Sequence, residues 1–383
     1  MDETYKILCL LNLLKKETQG DLDVQYVIEG VAVWRRQLAP YSQKLRHTLD
    51  TVARAVRPLE EFLNGLRCPS SQKVAQAKRP GFLAAMSILL RWPDLVQAQL
   101  MVLGYPIVGD FVESGVFRSI RGEDTPALSE WLGPSAVQEV DLLLQRGPPR
   151  YFREIYEVTC EEIEKGFCGP FLSKLEVDDL FGVGQWRPFE RFMVIQSDGK
   201  QRCIDNARKS GHNRNTAMFE TICATSVDFI ACTTSMLLEG VGEDREWLQV
   251  RLGTDDLPDA YRGLAVHPDH QRFSIISLFH PQRGWQFSLL FGLAFGLESA
   301  VVSFNRLPLF GIAMARRCTM SCSASYYMMT NWPSSSCQTS TSPSSEYNVF
   351  SSCWGLLLNQ SILPWNVGPY RRLCSLCYGS VST

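Results

Sequence analysis

The sequence predicts an α+β fold: a helical region at 1–150, a sheet-bearing unit at 151–317 and an irregular, low-charge tail at 318–383. Three observations carry this expectation. Apolar residues recur at helical spacing through the first part, they alternate in short runs after residue 185, and charge almost disappears after residue 317.

In the first part, Leu45, Leu49, Val52, Val56, Leu59, Leu63 and Leu66 follow one another at steps of four and three, which lines them up on one helix face. Pro58 falls inside this stripe. Its ring removes a backbone donor and clashes with the preceding turn, so the stripe predicts two helices or one kinked helix, packed on a core. A dimerising coiled coil would need a longer uninterrupted run. "PSAVQEVDLLLQRG" opens with Ser135 and Gln138 in capping-box spacing and stops at Gly147, and "TCEEIEKGF" repeats the device with Thr159 and Glu162 before Gly166. Between these helices, Gly147 to Arg150 ("GPPR") marks a domain boundary.

Beyond residue 185, "RFMVIQSDGKQRCID" is two apolar-rich runs around Asp198-Gly199, the best short hairpin signal in the chain. "NTAMFETICATSVDFIACTTSMLLEG" predicts a buried helix ended by Gly240. "WLQVRLGTDD" alternates like a strand, and "RFSIISLFHPQRGWQFSLLF" predicts a second hairpin.

Composition narrows the function classes. With 383 residues, 45% hydrophobic and 20% charged, the chain can bury a core of more than one domain. The most apolar stretches, "GFLAAMSILLRW" and "FSLLFGLAFGLESAVVSF", are too short or are interrupted, so no membrane association is expected. "MDETYKILCLLNLLKKETQG" lacks the pattern of a secretory leader, which points to an intracellular, reducing location. Cys9, Cys68, Cys160, Cys168, Cys203, Cys223 and Cys232 show no paired spacing and are expected to be buried thiols, and Cys374 and Cys377 form a lone Cys-x-x-Cys. A net charge of -2 excludes a chain-wide basic signature, so any nucleic-acid contact must come from a local patch.

The chemistry concentrates in "TDDLPDAYRGLAVHPDH", Thr254 to His270. A carboxylate at a strand end is rigidly held and can present a metal ligand. Asp256 could equally cap a short helix with Pro258 in its first turn. His267 and His270 have no further ligands nearby in sequence and read as a turn.

"DLPDAYRGLAVHP" followed by "FGLESAVVSFNR" resembles the reverse transcriptases of retroelements, whose palm carries an Asp-x-x-Asp-Ala-Tyr/Phe motif and then a Phe-Gly-Leu motif. The resemblance runs from about residue 155 to 310. It takes in "SDGKQRCIDNARKSGHN", which looks like the fingers hairpin, and "EEIEKGFCGPF", which looks like the segment leading into it. The resemblance implies RNA-directed DNA synthesis on a template-primer with deoxynucleoside triphosphates, using two Mg²⁺ or Mn²⁺ ions about 4 Å apart. It implies that Asp256 is the first catalytic carboxylate and that the carbonyl of Leu257 ligates the same metal. Tyr261 would lie under the incoming sugar, though it reads equally as a core tyrosine. Lys200 and Arg202 would face the triphosphate, amid Arg191, Arg208, Lys209 and Arg214, and Phe295 and Gly296 would belong to the substrate-binding Phe-Gly-Leu motif. Arg202 and Asp205 are three apart where the family has four, which unsettles Arg202 by one residue.

The family's remaining metal ligands lie in a Tyr-x-Asp-Asp motif, yet no Asp follows Asp269. The genetic code suggests why. "YYMMTNWP", Tyr326 to Pro333, must be encoded TAY TAY ATG ATG ACN AAY TGG CCN. Read from its third base, the string gives Leu, Tyr or His, Asp, Asp, then Glu, Lys or Gln, then Leu and Ala. The two Met codons force the two Asp codons. A frame change between about Arg317 and Tyr326 also accounts for a tail whose only charges are Glu346, Arg371 and Arg372. Three readings follow: a polymerase domain active once the frame is restored, an inactive remnant that binds nucleic acid, or an unrelated α+β interaction protein.

Overall fold

The computed structural model describes residues 22–34, 38–122, 125–197, 199–222, 227–241, 248–253, 259–319 and 334–339. The fold is α+β. Its first part is a set of short helices: α1 (Leu22–Trp34), α2 (Leu38–Ala55), α3 (Arg57–Gly65), α4 (Pro69–Ala75), α5 (Pro80–Leu89) and α6 (Val96–Leu103). The stripe around Pro58 is indeed two helices. The chain breaks at Val56 and Pro58 sits in the first turn of α3, where its missing N–H has no intrahelical partner to lose. The face that α3 buries differs from the expected one: Glu60 is inside, while Leu59, Phe62 and Leu66 are exposed.

Two-residue strands β1 (Gly109–Asp110) and β2 (Arg118–Ser119) lead to α7 (Leu128–Trp131), α8 (Pro134–Leu144), α9 (Phe152–Glu164) and α10 (Lys174–Phe181). Neither expected capping box forms. The N-cap of α8 is Gly133, with no side-chain cap, and the Ser135 hydroxyl instead accepts from Arg187. Thr159 lies inside α9 and donates back to the Ile155 carbonyl, because α9 starts a full two turns earlier than the spacing implied. The true capping box is at Ser173 and Glu176, which open α10.

The main sheet is built from both expected hairpins. β3 (Pro188–Ile195) pairs antiparallel with β4 (Gln201–Asp205), and β8 (Ile275–His280) pairs antiparallel with β9 (Gly284–Leu289). Parallel pairing of β3 with β8 joins them in the order β4-β3-β8-β9. Gly199 turns the first hairpin at φ +82°, a conformation a residue without Cβ reaches freely. The segment expected to be one buried helix is divided. β5 (Thr216–Ala217) and β6 (Glu220–Thr221) are extended and pair with β1 and β2, and α11 (Val227–Val241) begins only after them.

β7 (Leu248–Gly253) precedes the Asp256 segment as expected, and α12 (Glu298–Thr319) closes the sheet-bearing part. The tail was expected to be irregular throughout; its residues β10 (Ser334–Thr339) instead pair antiparallel with β7 over six residues. An unpaired strand edge is a template for any extended chain, and a small-residue tail can take it.

Residues on both sides of position 150 build one core. Leu49, Phe82, Tyr105 and Trp131 pack with Phe189, Phe273, Leu293 and Phe310. A buried pair, Arg306 Nε to Asp94 Oδ2 at 2.6 Å, ties α12 to the turn before α6. Glu220 accepts from the backbone N–H groups of Ser114 and Gly115, fastening β6 to the same first part. Among the described residues no helix is long and apolar enough to cross a membrane.

Candidate functional site

β3 and β4 place the hairpin's cations by the period of two. On β3, Phe189, Arg191 and Met193 share the buried face, while Phe192 and Val194 point outward. Arg191 is therefore inside the protein, 2% exposed, and not part of the basic surface to which the sequence assigned it. Lys209 is exposed but paired with Glu190. The other exposed cations here are Lys200 and Arg202 on the hairpin and Arg208 and Arg214 beyond it. Arg202 Nε reaches Gln196 Oε1 at 3.3 Å, across the hairpin turn.

The inward-facing members of the same strands form a buried ion network that the sequence reading missed. Asp205, opposite Arg191 in the β3–β4 register, accepts from Arg191 Nε at 2.8 Å through one oxygen and from Arg262 Nη2 at 2.7 Å through the other. Glu162 of α9 closes the square, accepting from Arg262 Nε at 2.6 Å and lying in ion contact with Arg191. Thr159 Oγ1 takes a further Arg191 donor at 2.8 Å, and Arg262 donates to the Leu293 carbonyl. Burial alone would raise the Glu162 acid, but Arg262 and Arg191 beside it bring it down to about 2. Two guanidiniums against two carboxylates leave the cluster neutral, which makes its burial tolerable. Burial pushes the thiols at its edge up, Cys168 to about 12 and Cys203 to about 11, so they stay protonated and inert.

Asp205 also meets the Phe-Gly-Leu segment. Its Oδ2 accepts from the Phe295 N–H at 2.9 Å, and its own N–H donates to the Phe295 carbonyl at 3.0 Å. Gly296 follows at φ +131°, and a Cβ there would lie 2.2 Å from the Asp205 carbonyl oxygen, so only glycine allows this approach. Tyr261 is 6% exposed, its ring between Phe295 and Phe304 at centroid distances of 5.5 and 5.4 Å. Its hydroxyl has no hydrogen-bond partner among the described residues, and burial pushes it up to about 12. The structure thus brings Tyr261, Phe295 and Gly296 together at the inner end of β4. Arg202 lies further along that strand, about 10 Å from Asp205 at some 3.3 Å per residue, and Lys200 lies in the turn just before it. Asp256 and Leu257 lie outside the described residues, as does Asp198.

Past β4, His212 pins the chain. Its ring stacks on Phe189 at 3.9 Å, Nε2 donates to the Phe273 carbonyl at 2.8 Å, and Nδ1 accepts from the Ser210 hydroxyl at 2.7 Å. Burial holds it neutral, down to about 3 against an ordinary 6.5. The unfolded chain therefore binds this proton first, so stability is full above pH 6.5 and falls as pH drops toward 3, by up to about 1.4 kcal/mol per unit. Glu162 adds a second loss from pH 4.5 downward, where its unfolded carboxyl protonates and its folded one does not. Urea midpoints measured from pH 7.5 to 4.5 are expected to decline below 6.5, and a flat profile would contradict the buried neutral imidazole.

His267 and His270 form the turn expected of them. The short 3-10 helix Pro268–Phe273 follows, with His267 accepting from the Asp269 N–H. Among the described residues no group of three or more His, Cys, Asp or Glu could hold a metal ion. The described cysteines are free thiols, Cys168, Cys232 and Cys318 buried and Cys68, Cys160 and Cys203 partly so. No protein-family model matches this chain, and no curated protein matches it either.

Proposed function

We propose that this chain is the fingers and palm of a reverse-transcriptase-like protein of a retroelement, acting inside the cell, and that in its present frame it binds nucleic acid without copying it. The observation that carries the reading is Asp205. Through it the hairpin, the Asp-Ala-Tyr-Arg segment and the Phe-Gly-Leu segment, which are separate in sequence and are three of the four pieces of the resemblance, are bonded to one another directly. Accidental motif matches have no reason to meet at one side chain.

The residues present do not fit a two-metal clamp. Asp256 is a single carboxylate, no Asp follows Asp269, and no described cluster supplies another ligand set. No step through Mg²⁺ or Mn²⁺ follows from such a set. What the described residues can do is hold phosphates: Lys200, Arg202, Arg208 and Arg214 are exposed from the hairpin turn through β4 and the segment after it. Such contacts give affinity that falls with salt and carries little sequence preference.

The test is an RNA template annealed to a labelled DNA primer. The full chain is expected to bind it with salt-dependent affinity, to lose affinity several-fold in the Arg202→Ala/Arg208→Ala variant, and to add no nucleotide with Mg²⁺ or Mn²⁺. Primer extension that Asp256→Ala abolishes would overturn the inactive reading. Absence of salt-dependent binding would favour the protein-interaction reading instead.

A further inference from the structure

α3 turns its polar stripe inward and its apolar stripe outward. Glu60, Asn64 and Arg67 follow at steps of four and three, so they share the face toward the body. Glu60 accepts from the Phe82 N–H at 3.1 Å, and Arg67 donates to the Lys78 carbonyl at 3.1 Å. On the other side Leu59 and Phe62 in the helix, and Leu66 just past its end, are 43%, 63% and 56% exposed. Burying polar groups is unfavourable and burying apolar ones is favourable, so a helix with only water outside would roll to exchange the two stripes. The observed orientation fits a helix covered on both sides.

One segment of this chain suits the outer stripe. In "YKILCLLNLLKK", residues 5–16, Ile7, Leu10, Leu11 and Leu14 recur at steps of three, one and three, the anchor pattern of a helix laid on an apolar surface. It is also within reach. Asp23, at the start of α1, pairs with Arg317 Nε at 3.0 Å, and Arg317 Nη1 donates to the Leu90 carbonyl at 2.7 Å, at the C-terminal end of α5. Gly81, at the other end of α5, lies against α3: a Cβ there would be 3.1 Å from the Glu60 nitrogen. α5 thus separates the start of α1 from α3 by about 15 Å, ten residues at 1.5 Å each, and residues 15–21 span up to about 23 Å when extended. A second copy suits the stripe less well. Three side chains on and beside a nine-residue helix offer far less than the roughly 800 Å² per partner of a stable interface, whereas a tethered segment needs less contact because its effective concentration is high. We propose that residues 7–14 of this chain lie along the outer face of α3 and cover Leu59, Phe62 and Leu66.

Hydrogen exchange of the full chain, read by mass spectrometry, tests this. Peptides covering residues 7–14 are expected to exchange at least about ten-fold more slowly than an unstructured chain, whatever the protein concentration. Phe62→Asp and Leu66→Asp each put a charge under the segment and should remove that protection, while Leu142→Asp, at a leucine 49% exposed on α8, should leave it intact. Leu11→Asp should remove it as well, and Phe62→Asp added to Leu11→Asp should lower the thermal midpoint no further, because one contact cannot be lost twice. Peptides from α9 and β8 should exchange as in the parent throughout, which reports an intact fold. Fast exchange of residues 7–14 in the parent, protection that survives both Phe62→Asp and Leu66→Asp, or protection that disappears on dilution, as a second copy would give, would each overturn the assignment.

Discussion

Asp205→Ala is expected to bring the protein close to unfolding, destabilising it by about 3–5 kcal/mol, the range seen when one partner of a buried ion pair is removed. The size follows from what the carboxylate holds. Two guanidiniums, Arg191 at 1% side-chain exposure and Arg262 at 12%, would remain in the interior with only Glu162 to share. The Phe295 N–H would lose its acceptor as well. Against a total of about 5–15 kcal/mol for an ordinary domain, that loss takes much of the margin. Asp205→Asn keeps the shape and the Phe295 bond but not the charge, and should fall between the parent and the alanine variant. Arg202→Ala removes a charge of the same strand from the surface and should stay within about 0.5 kcal/mol. Replacing Arg191 by Met in the Asp205→Ala background should recover part of the loss, because an apolar side chain does not need the missing partner. Urea unfolding of the parent and the four variants decides it. An Asp205→Ala midpoint matching that of Arg202→Ala would show that the network contributes nothing to stability.

How far this network was legible in the sequence can be argued from Arg191. The alternation Phe189, Arg191, Met193 starts two residues before the hairpin run and continues into it, and the period of two along β3 puts the arginine on the buried face; counting it among surface cations put composition ahead of periodicity. Its partners were less accessible. Glu162 and Arg262 are 100 residues apart, and neither spacing nor propensity connects them. The two hairpins and the break at Pro58 were readable because turn chemistry and a missing N–H are local causes. The failed capping boxes show the converse. Ser135 had the right spacing, but a buried guanidinium, Arg187, needed its hydroxyl more than the helix did. The unexpected β5 and β6 have the same origin: two residues each, they are extended because β1 and β2 offer edges to pair with, not because their residues demand it. The burial of Tyr261 was one of two readings the sequence allowed, and only the packing of Phe304 from α12 distinguishes them.

Restoring the reading frame is expected to produce the largest change of all, from no synthesis to template-dependent synthesis. The codons of Tyr326 to Met329 yield an Asp-Asp pair only when read from the third base of the first Tyr codon, so one added base, or two removed, between the codons of Arg317 and Tyr326 brings that pair into frame. The new residues follow α12, whose end at Thr319 falls within the interval inferred for the frame change. They also reach the right neighbour. β10, which lies in the tail after α12, pairs along β7 immediately before the Asp256 segment, so that strand edge is within reach of the residues that follow α12. With two acids added to Asp256, the chain would hold the three carboxylates that the resemblance requires, and losing any one should remove nearly all activity because the metals are clamped jointly. The measurement is primer extension by the restored protein, its Asp256→Ala variant and variants of each new aspartate. A restored protein that folds, binds template-primer and still adds no nucleotide would show that the lesion in this chain is not confined to its frame.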